Sequence, residues 1–147
     1  MDYSQKDLQD WAALRDISIN WPKIFPINSV KAMRGAFHFI ERNTLEDYLE
    51  SVFSGYWTHG KDISNIDTLL QIVNKIGEDQ EQYLEVVNSE EAKQKLIENT
   101  QELMERGGFG SPTFFVNGDD MYFGNDRIQL LENICLLYTS PSPRDRG

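Results

Sequence analysis

The sequence predicts a predominantly helical α/β chain: five or six helices, then one β-hairpin, then a last helix. Apolar residues recur at helical spacing through most of residues 2–106, the signature of amphipathic helices around a core. From Thr113 the pattern changes to short aromatic and β-branched runs on either side of Asn117-Gly118, a strong hairpin signal. Composition agrees. The 147 residues are room for one domain with a real core, and 39% hydrophobic with 26% charged residues fits neither a disordered tail nor a membrane protein. No apolar run approaches the roughly 18–20 residues of a membrane span. The start, MDYSQKDLQD, is polar and acidic, unlike a signal peptide, and the expected location is the cytoplasm. A net charge of −10 disfavours nucleic acid, because phosphate binding needs a basic face. The single cysteine, Cys135, excludes a disulfide framework, a CxxC pair and a cysteine zinc site within this chain. His38 and His59 are too few for a His-rich centre, so no metal is expected.

The first helix is expected over residues 2–16, where Leu8, Trp11, Ala12 and Leu14 fall at near-helical spacing. Residues 17–25 alternate loosely, and Pro22 and Pro26 remove ladder donors, so this stretch is an extended connector rather than a central strand. Asn28 or Ser29 caps a second helix to about Arg42, with Val30, Met33, Ala36, Phe37 and Ile40 on one face. Thr44 with Asp47 is a capping-box variant. It opens a third helix through Tyr48, Val52, Phe53 and Tyr56 to about Trp57, stopped at Gly60. Asp62-Ile63-Ser64-Asn65 is turn and cap chemistry before a stripe of Ile66, Leu69, Leu70, Val73 and Ile76 that ends at Gly77. A short helix through Tyr83, Leu84 and Val87 follows. Ser89 caps a long helix over 90–106, with Glu90 and Glu91 in its first turn and Arg106 at its end, as the helix dipole favours; Gly107 and Gly108 stop it. After the hairpin, Gly124 breaks the return strand, and Asn125 or Asp126 caps a last helix through Ile128, Leu131 and Ile134.

Two features do not fit a complete domain. The run Phe114-Phe115-Val116 suits a strand buried on both faces, which needs two neighbours, yet the chain supplies one. The expected missing neighbour lies upstream of Met1. Residues 135–147, CLLYTSPSPRDRG, change composition abruptly and resemble the translation of a transposon-based sequencing adapter. The native sequence is expected to end near Ile134.

The chemistry is concentrated in residues 107–127, GGFGSPTFFVNGDDMYFGNDR. The glycines resemble a phosphate loop only superficially, since the lysine and the preceding strand are absent. Taken alone, Ser111-Pro112 is a turn, Asn125-Asp126 a helix cap and Arg127 a solvated charge. His38, on an apolar face, reads as packing, and His59 as a helix-end residue. Trp57 and Phe53 read chiefly as core aromatics, with an aromatic-substrate pocket as the alternative. Taken together, the pattern G-x-F-G-x-P-T-F-x-V-x-G followed by F-G-N-D-R resembles the 2-hydroxychromene-2-carboxylate isomerases and the class kappa glutathione transferases. Both belong to the DsbA-like branch of the thioredoxin superfamily. Lys6-Asp7-Leu8 with Trp11, Phe25-Pro26-Ile27-Asn28, and Trp57 before Asp62-Ile63 extend the resemblance over nearly all of residues 3–134.

The resemblance implies a thioredoxin-like fold with a large helical insert. Within residues 1–134 it assigns 1–27 to a first helix and connector, 28–106 to the insert, and 107–134 to the proline loop, hairpin and last helix. It implies a cis Ser111–Pro112 bond, with glutathione as cofactor bound at Ser111, Pro112, Asn125, Asp126 and Arg127. Ser111 would present its backbone to an extended peptide. Asp126 would pair with the γ-glutamyl ammonium and Arg127 with a carboxylate. The substrate would be a small aromatic or chromene-type compound, and a homodimer is compatible. The family's thiol-contacting serine and a further lysine have no counterpart here, so no catalytic residue is assigned and the chain is expected to be inactive by itself. A kappa-like transferase, a DsbA-type thiol-disulfide oxidoreductase and a non-catalytic helical interaction module are the rival readings.

Overall fold

A computed structural model describes residues 2–139. The chain forms two compact units, Met1–Ile97 and Glu98–Gly147. The first is all helical: α1 (Tyr3–Leu14), α2 (Val30–Ile40), α3 (Leu45–Phe53), α4 (Ile66–Lys75), α5 (Gln80–Asn88) and the beginning of α6 (Glu90–Glu105). Its core is Phe39, Tyr48, Val52, Leu69, Val73, Tyr83 and their neighbours, drawn from α2 to α5. The second unit holds the rest of α6, the antiparallel pair β1 (Thr113–Val116) and β2 (Asp120–Phe123), a 3-10 turn Asn125–Arg127, and α7 (Ile128–Thr139).

Local chemistry explains most boundaries. Asp2, Asn65 and Asp79 accept first-turn backbone N–H groups, and Ser89 Oγ accepts from Ala92 N at 3.1 Å. Asn28 accepts from Val30 N at 3.1 Å, so of the two expected caps for α2 it is Asn28 that acts, while Ser29 makes no side-chain cap. Gly60, Gly77 and Gly107 end their helices in the left-handed conformation.

Three expectations are corrected. The capping box at Thr44 does not form: Thr44 makes no side-chain cap, and its buried Oγ1 has no partner among the described residues. The third helix does not continue as α-helix to Trp57; after Phe53 the chain widens into a π-helical turn over Ser54–Thr58. Connector contacts accompany that widening. Asn20 N donates to Trp57 O at 2.7 Å, Asn20 Nδ2 to Thr58 O at 2.7 Å, and Thr58 Oγ1 to Ser18 O at 2.8 Å. Leu14, placed by spacing on the buried stripe of α1, is exposed.

The hairpin pairs Thr113 with Phe123 and Val116 with Asp120, leaving Asn117, Gly118 and Asp119 as the connection. Asn117 and Gly118 take φ of 49° and 102°, as a tight hairpin requires. β1 is half-buried along its length rather than buried on both faces, because only β2 is its sheet neighbour among the described residues. α7 runs past Ile134, with Leu136 and Leu137 64% and 76% exposed; residues 140–147 lie outside the described residues. No described helix is long and apolar enough to cross a membrane.

Candidate functional site

The second unit brings together the five residues singled out as glutathione contacts. Ser111–Pro112 is a cis peptide, as the resemblance implied; Phe25–Pro26 is a second, which the sequence reading did not anticipate. The glycine-rich approach to Ser111 is shaped by close contacts. A Cβ at Gly110 would lie 2.8 Å from the Phe123 ring, and Thr113 Oγ1 donates to Gly110 O at 2.6 Å. Gly124 N donates to Pro112 O at 3.0 Å, the bond that sets the proline loop beside the Asn125–Arg127 turn. Ser111 itself is exposed, and among the described residues neither its backbone N–H nor its C=O is engaged in a hydrogen bond.

Gly124 has φ 107° and ψ 147°, a conformation essentially reserved to glycine, and a Cβ there would sit 2.5 Å from Asp126 Oδ1. The absent side chain lets the Asp126 carboxylate fold back over the turn. Neither Asn125 nor Asp126 caps α7, contrary to expectation; the 3-10 turn intervenes, with no side-chain cap at its start. Asp126 Oδ2 instead accepts from Arg127 Nη1 at 3.1 Å, and both side chains are about half exposed. An exposed pair of this kind is worth about 0–1 kcal/mol, so a ligand carrying both charges can exchange it at little cost.

Sequence reasoning passed over two features here. Phe109 and Phe123 form a tilted ring pair, centroids 4.6 Å apart, against the proline loop, and Phe109 is 71% exposed. The phenylalanines stand within the recognised motif, but their exposure could not be read from it. Arg106, expected only to complement a helix dipole, lies 3.6 Å over the Phe115 ring, donates to Gly118 O at 2.6 Å and pairs with Glu102 at 3.1 Å. It fixes the end of α6 to the hairpin.

In the first unit, His38 is fully buried and packs edge-on to Phe39 and Tyr83. Arg42 Nη1 lies 3.2 Å from His38 Nδ1, and Glu78 Oε2 lies 3.4 Å from Nε2. His59 ends the π-helical turn and is exposed. Phe53, read as core, is 58% exposed; with Trp57 it lines a groove of about 610 Å³ beside α1 and the connector. Phe53 is solvent-facing because it lies one position past Val52, off the face of α3 that Tyr48 and Val52 bury, whereas Tyr56 in the following turn is buried.

Comparison with known proteins agrees with this geometry. The DSBA-like thioredoxin domain family matches residues 1–135. The chain belongs to that family. It is 34% identical over 137 residues to 2-hydroxychromene-2-carboxylate isomerase of Pseudomonas sp. (strain C18), covering 90% of this chain and 61% of that protein. Human glutathione S-transferase kappa 1 is 28% identical over 145 residues, covering 90% of this chain and 64% of the relative. A solved structure of 2-hydroxychromene-2-carboxylate isomerase superposes with a TM-score of 0.82 at 30% identity, covering 93% of this chain and 66% of that one. The chain thus spans about three fifths of the length of the curated relatives it matches.

Proposed function

We propose that this DSBA-like chain is the larger part of a cytoplasmic glutathione-dependent isomerase of the 2-hydroxychromene-2-carboxylate type, acting in the breakdown of aromatic compounds. The observation that carries the reading is the Gly124 N to Pro112 O bond, which sets the open Ser111 backbone next to the opposite charges of Asp126 and Arg127. These groups fit glutathione. The Ser111 N–H and C=O suit an extended peptide added as a further strand. Asp126 suits the γ-glutamyl ammonium, Arg127 a carboxylate, and Asn125 the polar space between them. Each charge-assisted contact is worth about 1–3 kcal/mol.

Glutathione supplies a thiol nucleophile for reversible addition to a conjugated substrate. The part of this chain is to hold the peptide by its backbone and its γ-glutamyl end, which fixes where the thiol lies. No side chain here is assigned to lowering the thiol pKa. That group is proposed to belong to the part of the relatives' length that this chain does not span, and the chain by itself is proposed to be inactive. The kinship with the kappa transferase favours a second reading in the same site, irreversible conjugation of the thiol to an electrophile.

Titration calorimetry tests the site. Glutathione should bind more tightly than its α-linked isomer Glu-Cys-Gly, and Asp126→Asn should abolish the preference. Equal binding of the two peptides would overturn the assignment. Micromolar glutathione affinity with turnover of a hydroxychromene carboxylate would overturn the proposed inactivity.

A further inference from the structure

The groove beside α1 has a chemistry that the glutathione reading does not use. Its volume, about 610 Å³, lies within the roughly 300–1,000 Å³ typical of small-molecule sites. Its wall is apolar and aromatic, with Ile17, Phe53 and Trp57 among its members. Trp57 is held in an aromatic cluster, 6.2 Å from both Trp21 and Phe25 and 4.9 Å from Tyr56 between ring centroids. The Tyr56 hydroxyl donates to Ile24 O at 2.8 Å and ties that cluster to the connector. The π-helical turn that supplies Ser54, Trp57 and Thr58 to the wall is an element often found at functional sites.

Among the described residues, the charges of the lining are all of one sign: Asp16 and Glu50 face the groove, and no described lysine, arginine or histidine lines it. Neither carboxylate makes a hydrogen bond or ion pair among the described residues. Lys6, two residues before Leu8 of the wall, is already paired with Asp10 at 2.5 Å. Aromatic faces combined with unpaired carboxylates attract organic cations, through the ring quadrupole and through direct charge complementarity. The same carboxylates repel an aromatic carboxylate.

We infer that this groove is a binding site for a small amphipathic organic cation, an aryl- or alkylammonium compound. The apolar part lies against Ile17 and Phe53, and the ammonium lies between the Trp57 ring, Asp16 and Glu50. The site belongs to the first unit alone and stands whether or not the second unit binds glutathione.

The test titrates the full chain with benzyltrimethylammonium, benzyl alcohol and phenylacetate, following the Trp57 indole and the Ile17 and Ile19 amides by NMR. The cation should bind most tightly, the alcohol less and the anion least. The double substitution Asp16→Asn with Glu50→Gln should weaken the cation about fivefold or more while leaving benzyl alcohol within about twofold. Both side chains are exposed, and asparagine tolerates the φ of 55° at position 16, so the variant should fold. Phe53→Ala, at another exposed position, should weaken both the cation and the alcohol. Phenylacetate binding as tightly as the cation would overturn the inference. So would an unchanged cation affinity in the double variant, or no shifts up to about 20 mM cation.

Discussion

Replacing Gly35 with alanine drives a methyl group into the Tyr83 ring. Gly35 lies on the buried face of α2, and an ideal Cβ there would overlap Tyr83 Cε2 and Oη and lie 2.5 Å from Cζ. The ring has little freedom to retreat. It is fully buried, lies 6.0 Å from the rings of both Phe39 and Tyr48, and its hydroxyl is 2.9 Å from Tyr48 Oη. Tyr48 Oη in turn donates to Ala32 O at 2.9 Å, so Tyr83 is the donor in the tyrosine pair. Overpacking a core of this kind costs about 1–3 kcal/mol, and orphaning a buried hydroxyl about 1–3 more, against a gain of up to about 1 in helix propensity. The net is a loss of about 1–6 kcal/mol, centred near about 3, or a fall in Tm of about 10 °C. Thermal and urea unfolding followed by circular dichroism measure it. Gly55→Ala is the internal control: its Cβ would meet Ile72 Cδ1 at 3.5 Å and Lys61 Cδ at 3.7 Å, ordinary contacts, so stability should change by less than about 1 kcal/mol. A Gly35→Ala chain as stable as wild type, or the same loss in both variants, would refute the packing argument.

Other outcomes follow from the same geometry. Arg106→Ala should cost about 1–3 kcal/mol and speed amide exchange in β1 and β2, because the ring contact with Phe115 and the bond to Gly118 are lost together. Gly124→Ala should weaken glutathione binding by displacing Asp126, with far-ultraviolet dichroism unchanged. Burial pushes Tyr83 up to about 12 and also raises Tyr48, whose near neighbour is Tyr83. The folded state therefore favours the neutral phenols. The stability they contribute is intact below the unfolded pKa of about 10 and is lost as pH rises above it, which base unfolding monitored at the tyrosinate absorbance will show. Removing residues 135–147 should leave the Tm within about 2 °C, since Leu136 and Leu137 are exposed.

Much of the fold was legible because its signals are local. Asn65 and Ser89 as caps, Gly77 and Gly107 as stops, and Asn117-Gly118 as a turn each act within a few residues of themselves. The failures are tertiary. Thr44 has the composition of a capping box, but its hydroxyl is buried without a partner, which spacing does not reveal. The π-turn at Ser54–Thr58 arises where the connector bonds to Trp57 and Thr58, and those partners are about 40 residues apart in sequence. Phe53 was misread from its apolar character, although it lies off the face of α3 that Tyr48 and Val52 bury. At the candidate site, Ser111 through Arg127 was legible as a motif, whereas the bond from Gly124 to Pro112 depends on the hairpin register, and the folding back of Asp126 depends on the backbone conformation of Gly124.

The central claim is that the proline loop and the Asn125–Arg127 turn form one peptide-binding surface. Nitrogen-15 NMR of the chain during titration with glutathione tests it most directly. Weak, roughly millimolar binding is expected, with amide shifts confined to residues 110–113 and 124–128 and both clusters moving along one binding curve. Shifts confined to one cluster, shifts centred on the helical unit, or none up to about 20 mM glutathione would contradict the account.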